Sequence, residues 1–194
     1  ALRQLAASSG MPLESLLFGM FGATVYWLAQ QADLLVGAMP LAAPGKVLPL
    51  RWTVDARCSL GQMVAQADAA LRAAAQHADA LPEALMAVGQ PGAVHPNAFF
   101  QFGNGEVAAP ARPYDLFVHA SDAPEGLTLQ AHFNASLLDA ATVRRWLNLY
   151  VSAGARWGAD AGISLAAAFA LTDADRDLLA AFNASELAIE TGLR

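Results

Sequence analysis

Apolar and polar positions recur at two periods along this chain, and the switches between them divide it into elements. Leu13, Leu16, Leu17, Met20, Phe21, Thr24, Val25 and Leu28 return at spacings of three and four, the period of one helix face. Tyr26 and Trp27 widen that surface, so this helix is expected at the centre of the fold, with Pro12 suited to its first turn. Leu2–Ser9 reads as a preceding helix stopped at Gly10. Asp33–Ala38 is a short apolar strand of the buried type, followed by a loop over Met39–Lys46. Val47–Val54 reads as a second strand, in which Pro49 favours an edge, a bulge or a strand end. Ser59 can cap a helix running to about Gln76, with Leu60, Met63, Val64, Ala67 and Leu71 on its inner face.

Beyond it, His77–Leu81 connects to a shorter helix from Pro82 to Gly89, and a loop leads into the aromatic strand Ala98–Phe102. Gly103–Pro113, rich in Gly, Ala and Pro, is a link. Tyr114–Ala120 is a mostly apolar strand and Ser121–Gly126 a polar turn. Leu127, Leu129, Ala131 and Phe133 then alternate with Thr128, Gln130, His132 and Asn134, the period of a half-buried strand. From Asp139 to about Trp157 the helical period returns, placing Val143, Trp146, Leu147, Tyr150 and Val151 on one face. Gly158–Gly162 ends that helix, and a capped helix from Thr172 or Asp173 to Phe182 follows in the tail. The order of elements predicts an α/β fold, a two-layer sandwich with a mixed sheet of about five strands. Residues 1–162 make up the lobe, and 163–194 read as a linker toward a following domain.

Composition narrows the setting. Hydrophobic residues make up 56% of the 194 and the mean hydropathy is +0.35, yet the longest apolar stretch, Leu16–Ala29, is broken by Gly19, Gly22 and Thr24. It falls short of the ~20 residues of a spanning helix, so a buried helix is expected and no membrane partner. A net charge of −6, a single Lys at 46 and scattered Arg lack the basic cluster that nucleic acid requires. Cys58 stands alone, which excludes an internal disulfide and fits a reducing cytoplasm. Asn134-Ala-Ser136 and Asn183-Ala-Ser185 match the glycosylation sequon by chance in that setting. No signal peptide opens the chain, and the missing initiator Met is expected of a fragment or processed product.

The hairpin and helix over Tyr114–Tyr150 resemble the late part of the condensation domains of nonribosomal peptide synthetases. In that family an Asp-Leu strand, here at Asp115-Leu116, pairs with a strand ending in aromatic-Asn, here Phe133-Asn134. The resemblance runs in the family's order along the chain. Gly10–Pro40 resembles its central helix and the Val-Gly-x-Pro strand. Val47–Arg51 is similar to the end of its Gly-x-Phe-Val-Asn-Thr-x-x-x-Arg motif. His77-Ala78-Asp79-Ala80-Leu81-Pro82-Glu83 resembles His-Gln-Asp-x-Pro-Phe-Glu with one extra residue and no Phe. His95–Phe102 is similar to the Asn-Pro-Leu-Phe-Gln-Val region, and 171–183 to the linker leading to an adenylation domain. The resemblance implies the C-terminal lobe of a pseudo-dimeric, chloramphenicol acetyltransferase-like fold. It also implies that Arg51, His77, Asp79, Pro82, Glu83, Gln101 and Asp115 are motif remnants near a tunnel or lobe interface.

The departures bear on chemistry. The family's His-His-x-x-x-Asp-Gly signature is nowhere in these 194 residues, and the Asn and Thr of the tunnel motif before Arg51 are gone. His77, His95, His119 and His132 are never adjacent. His119 and His132 are expected as neighbours across the hairpin, but two ligands without carboxylate or Cys make a poor zinc site; the simpler reading is polar positions on a half-exposed sheet face. No Gly-x-Ser-x-Gly elbow is present. Cys58 precedes a helix, a place that lowers thiol pKa, yet without a His or acid beside it in sequence it reads as structural. Arg51 is expected to pair with an acid, Asp115 to serve a loop, and Glu83 to suit a helix start. No catalytic residue, no metal and no cofactor is therefore expected of this chain; phosphopantetheine would arrive on carrier proteins if the lobe belongs to an active domain. The expected role is a non-catalytic condensation-like half-domain, structural or protein-interacting. The alternatives are the C-terminal lobe of an active amide-forming domain, or a recruitment platform for a trans-acting tailoring enzyme. Adjacent adenylation or carrier-protein domains and weak self-association are the partners this reading implies.

Overall fold

In a computed structural model, residues 2–79, 96–104, 113–171 and positions 107, 110, 176, 177 and 180 are described. Five strands form one mixed sheet in the order β2-β1-β3-β4-β5. They are β1 (Asp33–Met39), β2 (Leu48–Thr53), β3 (Ala98–Phe102), β4 (Leu116–Ala123) and β5 (Gly126–Phe133). Both outer pairs, β1 with β2 and β4 with β5, are antiparallel. The inner pairs, β1 with β3 and β3 with β4, are parallel. The helices are α1 (Leu2–Ser9), α2 (Leu13–Ala29), α3 (Leu60–Gln76), α4 (Ala140–Ala159) and α5 (Leu165–Ala168). The two-layer α/β reading therefore holds.

One sheet face carries Leu34, Val36, Ala38, Leu48, Leu50, Phe100, Val118 and Ala120, all buried. The helix that covers it is α2, buried continuously from Ser15 to Thr24, with Phe18 and Phe21 against the Phe100 ring and Phe18 edge-on to Trp52. Gly19 permits close approach of α3: a Cβ there would stand 2.7 Å from the Val64 Cα. Ser59 and Gln62 close a capping box at the start of α3, and the Asp139 carboxylate accepts from the Thr142 N–H at 2.9 Å to start α4, each satisfying end groups that the helix leaves open. Across α2, the buried Tyr150 hydroxyl donates to the Leu17 carbonyl at 2.9 Å.

Several boundaries differ from the sequence reading. Strand β4 continues through Ser121 to Ala123, leaving Pro124-Glu125 as the turn, because polar side chains at Ser121 and Thr128 pair across the hairpin. On α4, Val151 is 55% exposed. The buried stripe instead passes through Val143, Tyr150, Ala153, Gly154 and Trp157, a narrower face because α4 lies at the sheet margin. The segment read as the start of a linker is held by the lobe as far as Ala170. Leu165 N–H donates to the Cys58 carbonyl at 3.1 Å, Leu165, Ala168 and Phe169 are buried, Phe169 stacks on Trp27, and Arg156 donates to the carbonyls of Ala168 and Ala170. The helices expected over Pro82–Gly89 and Thr172–Phe182 lie outside the described residues, apart from helical positions 176, 177 and 180. Pro49 sits on β2, an edge strand, where its missing N–H costs no ladder bond. Among the described residues no helix is long and apolar enough to cross a membrane.

Candidate functional site

The face of the sheet opposite α2 is where the chain's polar chemistry collects. Strand alternation puts Asp33 and Arg51 there at one edge, Gly37, Phe99, Gln101, Phe117 and His119 in the middle, and Thr128, Gln130 and His132 at the other edge. In the middle, Tyr114 stands edge-on to both Phe99 and Phe117, and the His132 ring lies over Phe117 at 5.6 Å. Gly37 makes room for the Phe99 ring, which would collide with any Cβ at that position. The exposed positions toward both edges, Arg51, Asp33, Thr128, Gln130 and His132, are polar.

His119 and Gln101 are opposite one another on β4 and β3. His119 is only 3% exposed, which corrects its reading as half-exposed, and His132, on the diagonal of the same face, is the exposed one. Burial lowers the His119 pKa below its ordinary value; the Gly103 backbone opposes the shift and the nearby His132 adds to it. His119 is therefore neutral at neutral pH. Its Nδ1 and the Gln101 Oε1 are buried without a hydrogen-bond partner among the described residues. Among the described residues no three His, Cys, Asp or Glu side chains come together in a way that could hold a metal ion.

The motif residues are spread over the lobe. Arg51 donates through Nε to Asp33 Oδ1 at 2.8 Å, in an exposed ion pair on the β1–β2 edge, the acidic partner expected of it. His77 is the C-cap of α3 and is exposed. Asp79 lies 3.5 Å from the Lys46 ammonium across solvent-exposed surface. Asp115 works through its backbone: its N–H donates to the Asn97 carbonyl at 2.8 Å and its carbonyl accepts from Asn134 at 3.0 Å, joining the ends of β3 and β5. Pro82 and Glu83 lie outside the described residues. Of the five that are described, Gln101 alone meets a buried histidine.

Two carboxylates had no signal in the sequence beyond their helical positions. Glu14 accepts from the Leu41 N–H at 2.8 Å, anchoring the loop after β1 to the first turn of α2; burial raises its pKa and that hydrogen bond pulls it back. Asp68 faces the core on α3, with Oδ2 paired to Arg72 at 2.6 Å and Oδ1 without a partner among the described residues. Cys58 is buried, and its thiol pKa is raised, first by burial and then by the Asp55 charge. The helix start beside it does not prevail, so the thiol is a packing group. On the helical side of the lobe, a groove of about 680 Å³ runs between Trp27, Trp146, Leu149 and Phe169, with Arg145 at its rim.

No family model and no curated protein sequence matches the chain. Solved structures do. The condensation domain of the monacolin K polyketide synthase MokA superposes with a TM-score of 0.70 at 17% identity, over 84% of this chain and 45% of that one. The chain has the fold of half a condensation domain. The first condensation domain of the CDA synthetase matches this lobe with a TM-score of 0.69 at 16% identity, over 84% and 43% of the two chains. An X-domain from teicoplanin biosynthesis, solved in complex with OxyB, matches at 0.71 and 19% identity, over 89% and 46%. The chain thus spans less than half the length of these three structures, and at these identities the likeness is one of fold.

Proposed function

We propose that this chain serves as a non-catalytic condensation-like lobe of a nonribosomal peptide synthetase, with a structural or protein-interaction role. The observation that carries the reading is the dispersal of its polar motif residues. Arg51 is neutralised by Asp33 at one sheet edge, Asp79 is paired with Lys46 on the surface, and Asp115 acts through its backbone. A general base has to reach the proton it removes within hydrogen-bond distance or through one water. His119, the one buried histidine among the described residues, has a glutamine opposite it and, among those residues, no hydrogen-bond partner at Nδ1 to orient it. The test is amide formation by the surrounding synthetase module carrying His77→Ala, His95→Ala, His119→Ala and His132→Ala, singly and together, with folding checked by circular dichroism. Condensation retained near the parent rate is the expected result. A loss of a hundredfold or more in a folded variant overturns the proposal.

A second reading is recruitment of a tailoring enzyme. It is favoured by the fold shared with the X-domain that is solved together with OxyB. Titration of the chain with tailoring enzymes encoded beside its synthetase distinguishes the two. Saturable binding supports recruitment, and no binding by any of them rejects it.

A further inference from the structure

We propose that the outer edge of β5 pairs with the same edge of a second copy of this chain, antiparallel about a twofold axis at Gln130, making one continuous sheet. This goes beyond the role proposed above and stands or falls separately. Strand β5 is the last in the sheet and, among the described residues, has β4 as its one neighbour. It runs eight residues, GLTLQAHF, with no proline, no carboxylate, no Lys and no Arg. Edge strands in proteins are ordinarily blunted by such residues, because a bare row of N–H and C=O groups invites another strand. The opposite edge, β2, is blunted in this way by Pro49 and Arg51.

The sequence of β5 also complements itself. A twofold axis normal to the sheet keeps each face on its own side, so paired residues must share a face. With Gln130 at the axis, Leu127 falls opposite Phe133, Thr128 opposite His132, and Leu129 opposite Ala131. Apolar positions on the helix-covered face meet apolar ones, and exposed polar positions meet polar ones. Asp122, across the hairpin from Leu127 on β4, is neutralised by Arg3, and Glu125 lies in the turn before β5. Closing the hairpin at Ala123 and Gly126 through two residues makes these a hydrogen-bonded pair, and alternation then turns the backbone groups of Leu127, Leu129, Ala131 and Phe133 outward. Beside the edge, Leu127, Leu129, Tyr150 and the exposed Val151 line an apolar groove of about 210 Å³, and the second copy's strand closes its open side.

The association is weak. Eight residues at ~3.4 Å each give an edge about 27 Å long, and a sheet edge about 10 Å deep supplies on the order of 300 Å² per partner, against roughly 800 Å² in a stable interface. Sedimentation equilibrium should therefore show a mass that rises from 20.2 kDa toward twice that value as concentration increases, across about ten micromolar to one millimolar. Gln130→Lys, an exposed change that sets two ammonium groups face to face at the axis, should hold the mass at one chain. The register is tested by single cysteines under mild oxidation. Gln130→Cys should cross-link to a dimer, whereas Thr128→Cys and His132→Cys alone should not, and the buried Cys58 gives the unmodified protein as a blank. A mass fixed at one chain throughout the range overturns the proposal. So does a dimer unaffected by Gln130→Lys, or cross-linking of Thr128→Cys as efficient as that of Gln130→Cys.

Discussion

Replacing Gly19 by Ala sets two known effects of opposite sign against each other. Glycine inside a helix costs about 1 kcal/mol relative to alanine, so on propensity alone Gly19→Ala would stabilise α2. The structure reverses the sign. The new Cβ would stand 2.7 Å from the Val64 Cα and 2.8 Å from its Cγ2, whereas carbon atoms rest at ~3.5–4.0 Å. The nearer atom is backbone of α3, so relief requires the two helices to part by about 1 Å along a close-packed crossing, and overpacking of this kind costs about 1–3 kcal/mol. The net expectation is a loss of about 1–2 kcal/mol, which in a domain of this size lowers Tm by roughly 2–4 °C per kcal/mol. Gly61→Ala is the matched control. It makes the same chemical change within α3, but its Cβ would meet its nearest neighbours at an ordinary 3.7 Å, so it should be neutral or stabilising by up to about 0.5–1 kcal/mol. Urea unfolding followed by tryptophan fluorescence measures both, with unchanged m-values confirming that native-state stability moved. If Gly19→Ala is as stable as the parent or more so, the close crossing of α2 and α3 at Val64 is not what requires glycine there, and the reasoning fails.

Other consequences follow from single groups. Tyr150→Phe removes the buried bond to the Leu17 carbonyl and should cost about 1 kcal/mol in urea unfolding. Burial raises the Tyr150 pKa far above its ordinary value, so in an alkaline absorbance titration this tyrosine should ionise only as the protein unfolds. His119 has a lowered pKa in the fold. Between that value and the unfolded ~6.5 the unfolded chain binds more protons, so His119's contribution to stability is complete above ~6.5 and declines as pH falls below it; His119→Gln should flatten that part of a stability–pH curve. Cys58, buried with a raised pKa, should react with a thiol reagent slowly in the native state and at the rate of a free thiol in denaturant.

Much of the architecture was legible in order of residues because its signals are local. The three-and-four spacing from Leu13 to Leu28 announced the central helix, and α2 is buried through its middle turns. The alternation from Leu127 to Phe133 announced β5 and assigned each residue its face. The Pro in Val47–Val54 favoured an edge, a bulge or a strand end, and β2 is an edge strand. Where the reading slipped, two elements competed for the same residues. Ser121 reads as turn because it is polar, and it becomes strand because Thr128 waits opposite. Val151 has the helical phase of a core residue, but no described element covers that side of α4, and it is exposed. The segment after Gly162 looked like a linker, and Phe169 finds a face of Trp27 that nothing in its own neighbourhood could announce.

The site shows the same division more sharply. Residue types and spacings determined the elements, the faces of the strands, the resemblance to condensation domains and the missing His-His-x-x-x-Asp-Gly signature, because each depends on neighbours within a few positions or on an ordered run of motifs. Tertiary structure alone decided which polar groups meet. It buried His119 opposite Gln101 and left His132 exposed on the neighbouring β5, gave Asp33 to Arg51 and Lys46 to Asp79, brought Glu14 to the Leu41 amide, and put β5 at one end of the strand order. A histidine's protonation depends on what excludes water from it, and a carboxylate's role on which donor arrives beside it. Both are set by parts of the chain that a local pattern cannot bring together.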